Sequence, residues 1–331
     1  MPRPTAALFR PFTDPSKFRS CAYPFPPRRA QVMTTQVAVA AAVAGIGTFA
    51  YLKFSSAAQP GAQSSEGKSP AATGTNFTRP FGFRTLRLLS AEELNHNTKK
   101  LRFELPDPSQ HSGLTLTSAL LSVSFPNGSW IPVPRPYTPT NKLDEPGFIE
   151  LTVKHYPGGK ASTHLHSLKP GDSCTFAPLP QQFAWTPNKH AHVALIAGGA
   201  GITPMYQLLQ GILDNPSDHT RITLVWGVNT DADIFLLDEF KSLEKKYPGR
   251  FRAEYVVSQP EIGSPYRKGY VNKTVLEELG LRASETHNND IKVLVCGPPP
   301  MEKALKGGKG PFGGSGVLAE LGYAKSQIHG F

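Results

Sequence analysis

Residues 193–204 read Val-Ala-Leu-Ile-Ala-Gly-Gly-Ala-Gly-Ile-Thr-Pro, and few folds accept such a run. Val193–Ala197 predicts a continuous apolar strand, Gly198–Gly201 a tight turn, and Pro204–Leu213 carries apolar residues at helical spacing. A glycine-rich turn from strand to helix lets the backbone approach a pyrophosphate and aims a helix N-terminus at it. The run departs from the usual dinucleotide fingerprint in two respects. Pro204 stands where the third glycine would be, in a first helical turn where proline loses only an orphan donor. The acid expected about twenty residues on is missing. The nearest candidates, Asp231 and Asp233, lie beyond the second strand. The pattern therefore predicts a βαβ nucleotide site of a non-standard kind, with Gly199, Gly201, Thr203 and Pro204 at its centre.

The same rhythm continues to the C-terminus. Strands at Ile222–Val225, Ala253–Val257 and Lys292–Cys296 alternate with helices at Asp233–Tyr247, Lys273–Leu279, from Met301, and near Val317–Leu321. Such alternation predicts a parallel sheet. Between Phe81 and Thr175 the pattern is instead one of short strands: Phe83–Leu89, Lys100–Leu105, Ala119–Phe125, Ile149–Lys154 and Ser173–Phe176. Pro106, Pro126, Pro132, Pro134 and Pro146 punctuate them. Five or six strands with one short helical stretch, Ser162–Leu168, predict a small antiparallel β-barrel. The boundary falls near Pro187–His190, giving a β-barrel domain over 77–188 and an α/β parallel-sheet domain over 189–331. A hydrophobic fraction of 39%, with 19 Phe and 10 Tyr, can bury a core in each, and 32 prolines argue against a helical bundle. Three cysteines (Cys21, Cys174, Cys296) cannot build a disulfide scaffold, and no CxxC pair points to zinc.

The formal net charge of +10 is concentrated at the N-terminus, where residues 1–76 hold eight Lys or Arg against two acids. A nucleic-acid binder would concentrate its charge on the folded part, so that class is excluded. Residues 1–35 are Arg-rich and contain one acid, Asp14, the composition of a mitochondrial targeting leader, although their prolines weaken its helical character. Residues 36–52 carry no charge and are just long enough to cross a bilayer, which predicts a single-pass transmembrane anchor. Residues 53–76, rich in Ser, Ala, Gly, Gln and Pro, predict a flexible linker. The expected location is the mitochondrial outer membrane, with a processed form in the intermembrane space as a further product.

Three short segments add candidate chemistry. Arg135-Pro136-Tyr137-Thr138 places a guanidinium that can clamp phosphate, an aromatic ring that can stack on a heterocycle, and a hydroxyl. Taken alone, an exposed turn explains it equally well. Gly158-Gly159-Lys160-Ala161-Ser162 precedes the short helix and suits an anion, while Ser162 is equally readable as an N-cap. Cys296-Gly297-Pro298-Pro299-Pro300-Met301 ends a strand where open α/β sheets bind ligands. The Cys296 thiol reads as a packing group unless a cofactor lies beside it. His155, His164 and His166 read as solvated surface.

In order and spacing these segments resemble the ferredoxin–NADP reductase-like flavoenzymes over residues 80–331, and within them the NADH–cytochrome b5 reductases, the fungal mitochondrial form most of all. The resemblance implies bound FAD and NADH as co-substrate. Arg135 would take the FAD pyrophosphate, Tyr137 stack on the isoalloxazine, and Thr138 bond its N5, with Pro136 among the cofactor-binding positions. Gly159, Lys160 and Ser162 would hold the diphosphate, with Val153 and Lys154 lining the flavin. Gly199–Gly201, Thr203 and Pro204 would form the junction where nicotinamide meets flavin. Cys296 would place the nicotinamide, with Gly297, Pro298 and Met301 around it. Thr138, Thr203 and Cys296 would be the catalytic positions. Asp233 would receive the adenosine ribose and favour NADH over NADPH by repelling a 2′-phosphate. The electron acceptor implied is cytochrome b5 or a similar haem protein. One departure is Ala177-Pro178 where the family often has Gly-Pro, a strain only if residue 177 has positive φ.

Overall fold

The computed structural model describes Phe77 and residues 82–126, 129–284, 290–308 and 314–331. The leader, apolar stretch and linker expected over residues 1–76 lie outside them. Among the described residues no helix is long and apolar enough to cross a membrane.

The first half is a six-stranded antiparallel sheet. Its strands are β1 (Arg84–Asn95), β2 (Thr98–Glu104), β3 (Leu120–Ser124), β4 (Val133–Tyr137), β5 (Phe148–Lys154) and β6 (Ser173–Pro178), with helix α1 (Lys160–Ser167) between the last two. The spatial order is β4-β3-β6-β1-β2-β5. Alternate residues point inward, Leu86 and Leu88 on β1 facing Leu101 and Phe103 on β2. With Leu120, Ile149, Leu151, Val153, Leu165 and Phe176 they form one apolar core, each contributing about 1.5–3 kcal/mol of burial. The expected barrel is in fact a curled sheet. Beyond β4 the chain meets β5 through the isolated bridge Pro139–Leu151 and side-chain bonds of Thr140 and Asn141, with no continuous ladder between them. β4 explains why. Pro134 and Pro136 have no N–H, so β4 pairs with β3 on one side and presents a donor-poor edge on the other. Ala177 sits within β6 and has no positive φ, so its replacement of glycine carries no strain.

The second half comprises β7 (His192–Gly198), α2 (Ile202–Asp214), β8 (Arg221–Val228), α3 (Leu237–Lys246), β9 (Phe251–Val257), β10 (Arg267–Lys268), α4 (Lys273–Glu278), β11 (Ile291–Cys296), α5 (Pro299–Lys306), α6 (Val317–Glu320) and β12 (Ile328–Gly330). The sheet runs β10-β9-β8-β7-β11-β12 with every pair parallel. One face packs Leu195, Leu224 and Trp226 against Met205, Leu208, Leu209 and Phe240; the other packs Ile196, Val225 and Val295 against Leu276, Leu305 and Leu318. The helix expected from Asp233 begins only at Leu237. Residues 231–233 form a separate helical turn capped by Thr230, whose N–H and hydroxyl both bond the Asp233 carboxylate.

Side chains of α2 tie the two halves together. Gln207 accepts from the Thr117 N–H at 2.7 Å and donates to the Pro139 carbonyl at 3.2 Å. One turn on, Gln210 donates to the Thr140 carbonyl at 3.0 Å, and Asp214 pairs with Lys142 at 2.8 Å.

Candidate functional site

A cleft of about 970 Å³ opens between the curled sheet and the parallel sheet. Its first wall is the donor-poor edge of β4, Pro132 to Thr138. The Tyr137 ring is half-buried against the sheet core, and burial pushes its hydroxyl up to about 12. Thr138 is buried, and no protein group among the described residues bonds its hydroxyl. The exposed Arg135 guanidinium donates only to the neighbouring Pro134 carbonyl, at 2.8 Å, and has no acidic partner among the described residues.

The second wall is the start of α1. Lys160 opens the helix, exposed and without an acidic partner among the described residues. Gly159 is the N-cap, no side chain caps the helix, and its first turn contains no acid. Three features therefore favour an anion there: free N–H groups, the helix dipole and a lysine. Ser162 is not the N-cap. It lies inside the helix, donating to the Gly159 carbonyl at 3.0 Å and accepting from the Tyr156 N–H at 3.3 Å. A Cβ on Gly159 would sit 2.6 Å from that Ser162 hydroxyl, so the folded loop needs glycine.

The third wall joins the ends of β7 and β11. Gly201 passes so close to the Cys296 carbonyl that any Cβ would collide with it. Thr203 folds its hydroxyl back onto the Ala200 carbonyl at 3.2 Å, and Trp226 donates to the Gly199 carbonyl at 3.0 Å, fixing the turn from both sides. Burial, assisted by the Glu302 charge, raises the Cys296 thiol to about 12, so it stays protonated and neutral. Glu302 accepts from the Gly297 N–H at 3.4 Å and pairs with Lys306 at 2.6 Å.

A second cavity, of about 370 Å³, lies at the C-terminal ends of β7, β8 and β9 and is lined by Gly198, Gly199, Gly227, Asn229, Tyr270 and Met301 among others. Lys154, Tyr156, Gly198 and Pro298 line both spaces, so the two meet there.

Of the residues singled out in the sequence, Arg135, Pro136, Tyr137, Thr138, Lys154, Gly159, Lys160, Ser162, Gly201, Thr203, Pro204, Cys296, Gly297 and Pro298 line the cleft. Gly199 and Met301 line the second cavity. Val153 does neither; it is fully buried in the core of the curled sheet because alternation along β5 turns it inward. Asp233 also lies outside both spaces. It is 3% exposed, its Oδ1 accepts from Lys154 at 2.7 Å and Asn97 at 2.8 Å, and its Oδ2 accepts from Thr230. Burial opposes its charge, but Lys154 and Asn97 prevail and hold the carboxyl down at about 2. Here it clasps the curled sheet to the turn after β8 and presents no free carboxylate to a ribose.

Sequence reasoning missed Tyr156, whose hydroxyl accepts from the Ala200 N–H at 3.3 Å across the seam. An aromatic two residues before a Gly-Gly pair was the available signal. It also missed Glu302 and Phe331 in the cleft wall, and Asn229 and Tyr270 in the second cavity. Among the described residues no group of three or more His, Cys, Asp or Glu could hold a metal.

The architecture has close relatives. The oxidoreductase FAD-binding domain family matches residues 85–180, and the oxidoreductase NAD-binding domain family matches residues 195–307. The NADH-cytochrome b5 reductase 2 of Emericella nidulans is 44% identical over 313 residues, 92% of each chain. That of Botryotinia fuckeliana is 48% identical over 257 residues, 76% of this chain and 72% of the relative. Among solved structures, the cytochrome b5 reductase domain of Ulva prolifera nitrate reductase superposes with a TM-score of 0.69 at 28% identity, covering 78% of this chain and all of that one.

Proposed function

The chain belongs to the NADH-cytochrome b5 reductase family, and on that premise we propose that it is an FAD-dependent oxidoreductase passing electrons from NADH to cytochrome b5. The observation that carries this reading is the meeting of a large cleft whose walls suit an anion with a smaller cavity across Lys154, Tyr156, Gly198 and Pro298. FAD, when bound, supplies acceptance of a hydride and release of single electrons, chemistry outside the reach of side chains.

The protein's own contribution is binding and alignment. Arg135, Lys160 and the uncapped start of α1 suit the diphosphate of FAD: three sources of positive potential with no acid among the described residues to neutralise them. The Tyr137 ring gives a flat wall, and the Thr138 hydroxyl is free to bond a ring nitrogen. At the other side, the Gly199–Gly201 turn, fixed by Thr203, Trp226 and Tyr156, allows backbone and nicotinamide to approach closely. The neutral Cys296 thiol packs beside them without acting as a nucleophile. Phe331 and Pro298 add apolar surface that excludes water.

The division into an FAD domain over 77–188 and a nucleotide domain over 189–331 belongs to the same proposal, as does a leader, anchor and linker over 1–76 placing the enzyme in the mitochondrial outer membrane. The charge-free run 36–52 and the Arg-rich residues before it support that placement. Purified protein is expected to be yellow, with flavin absorbance that NADH bleaches and oxidised cytochrome b5 restores. A colourless protein releasing no FAD on denaturation would refute the reading. Fractionation with protease protection tests the location; recovery in the endoplasmic reticulum alone would refute that part.

A further inference from the structure

The proposed function seats FAD in the larger cleft, and the inference rests on that reading. Strand β4 sets the direction in which the cofactor lies. Its side chains alternate, so Val133, Arg135 and Tyr137 share one face, paired with Ser124, Ser122 and Leu120 of β3. Tyr137 suits the flavin ring and Arg135 the diphosphate. The adenosine is joined to the far side of the diphosphate, so the same line carries it toward the N-terminal end of β4. Pro132, Val133 and Pro134 extend the cleft wall that way, and Arg135 to Pro132 spans about 10 Å of extended chain. Trp130 and Ile131 lie just beyond, in the bend between β3 and β4. Trp130 is 74% exposed, and its indole makes no hydrogen bond or ring contact among the described residues. The bend beneath it is held in place. The Ser129 hydroxyl accepts from the Ile131 N–H at 3.1 Å and donates to the Ile131 carbonyl at 3.3 Å, while the Ser129 N–H bonds the Pro126 carbonyl at 3.0 Å. The opposite lip has no uncommitted aromatic ring. Only His155, Tyr156 and Pro157 separate β5 from the Gly158-Gly159 pair. His155 meets Thr163 at 3.1 Å and the His166 ring at 5.3 Å, and the Tyr156 hydroxyl is taken by the Ala200 N–H across the seam.

We propose that Trp130 is the adenine seat of the FAD site, its indole stacking on the adenine ring and closing the adenosine end of the cleft. Stacking needs only a flat face, which every base has, so an exposed ring in this place holds adenine without a matching set of hydrogen bonds. The pinned bend presents the indole before the cofactor arrives, which lowers the ordering cost of binding. Trp130 is thus a positioning residue: it acts on how firmly the cofactor is held, at the end remote from the reacting ring. A protein partner or a lipid surface would also cover an exposed tryptophan, but neither would make flavin affinity depend on it.

The test is calorimetric titration of the full chain, stripped of flavin, with FAD and with FMN, which carries the ring and one phosphate but no adenosine. Trp130→Ala is expected to raise the Kd of FAD about 5–100-fold, the range for a lost base–aromatic stack. Trp130→Phe keeps a flat face and should stay within about threefold of the wild type. The Kd of FMN should be the same for all three proteins. A Kd of FAD that Trp130→Ala leaves unchanged, or a Kd of FMN that rises as much as that of FAD, overturns the proposal. Should FMN not bind the wild type, the Tm values of the flavin-free proteins decide instead. Equal values keep the loss at the ligand, and a lower one in Trp130→Ala assigns it to folding and overturns the proposal. Flavin in the purified wild type separates the two levels: if there is none, the proposed function falls; if FAD is present and Trp130→Ala holds it equally well, only the adenine seat falls.

Discussion

Asp233 and Lys154 form an ion pair at 2.7 Å with side chains only 4% and 8% exposed, so removing one partner strands the other charge out of water. The carboxyl is held at about 2 against an ordinary 3.8, a difference worth about 2 kcal/mol of folding stability at neutral pH. Because the folded pKa is the lower one, that stabilisation is full above the ordinary carboxylate range and is lost as pH falls toward 2. About 1 kcal/mol should be gone by pH 3. Asp233→Ala is expected to cost about 3–5 kcal/mol at pH 7, and Lys154→Met a comparable amount, each leaving an uncompensated charge. The double variant should cost clearly less than the sum, with a coupling of about 2–3 kcal/mol. Urea unfolding of all four proteins at saturating FAD, followed by tryptophan fluorescence and flavin release, measures this. Saturation keeps altered cofactor affinity from entering as mass action. Costs that add to within about 0.5 kcal/mol, or a wild-type-to-Asp233→Ala gap that does not shrink between pH 6 and pH 3, would show the clasp to be energetically idle.

Three further outcomes follow from the cleft. Arg135→Ala should weaken FAD binding about 10–100-fold, as expected for a lost charge-assisted contact, and the loss should shrink in high salt; flavin fluorescence on dilution reads it. Gly201→Ala drives a Cβ into the Cys296 carbonyl and should cost about 2–3 kcal/mol, lowering Tm by roughly 5–10 °C; an unchanged melting curve would contradict that close approach. With its thiol near 12, Cys296 should react slowly with iodoacetamide at pH 8, and Cys296→Ser should lose less than about tenfold in kcat/KM for NADH, whereas a collapse of turnover would mean the thiol takes part chemically.

What could be read from the residues was local. The strand–glycine–helix run at 193–204 carries its own period and turn chemistry, so both the parallel sheet and the position of Gly201 could be anticipated. The Arg135–Thr138 and Gly158–Ser162 segments were visible as residue types, and folding brings both to one cleft. The failures involve distance in sequence or shortness. Asp233 meets Lys154 across 79 positions, and only the fold reveals that its charge is already taken. β10, with two basic residues, and β12, ending in Gly330, are too short to show a period of two. The open sheet edge depends on which way the proline nitrogens of β4 face, a matter of register.

The bonds from α2 to the backbone at Thr117, Pro139 and Thr140 bear on how coenzyme arrives. The helix that starts at the glycine turn is fastened along its length to the opposite half, so hinge opening would have to break several amide contacts together. Exchange of spent for fresh coenzyme is then expected to proceed by diffusion through a standing mouth, and spin labels placed on either side should report one narrow separation whether or not nucleotide is present; a separation that widens or narrows on adding nucleotide would refute this.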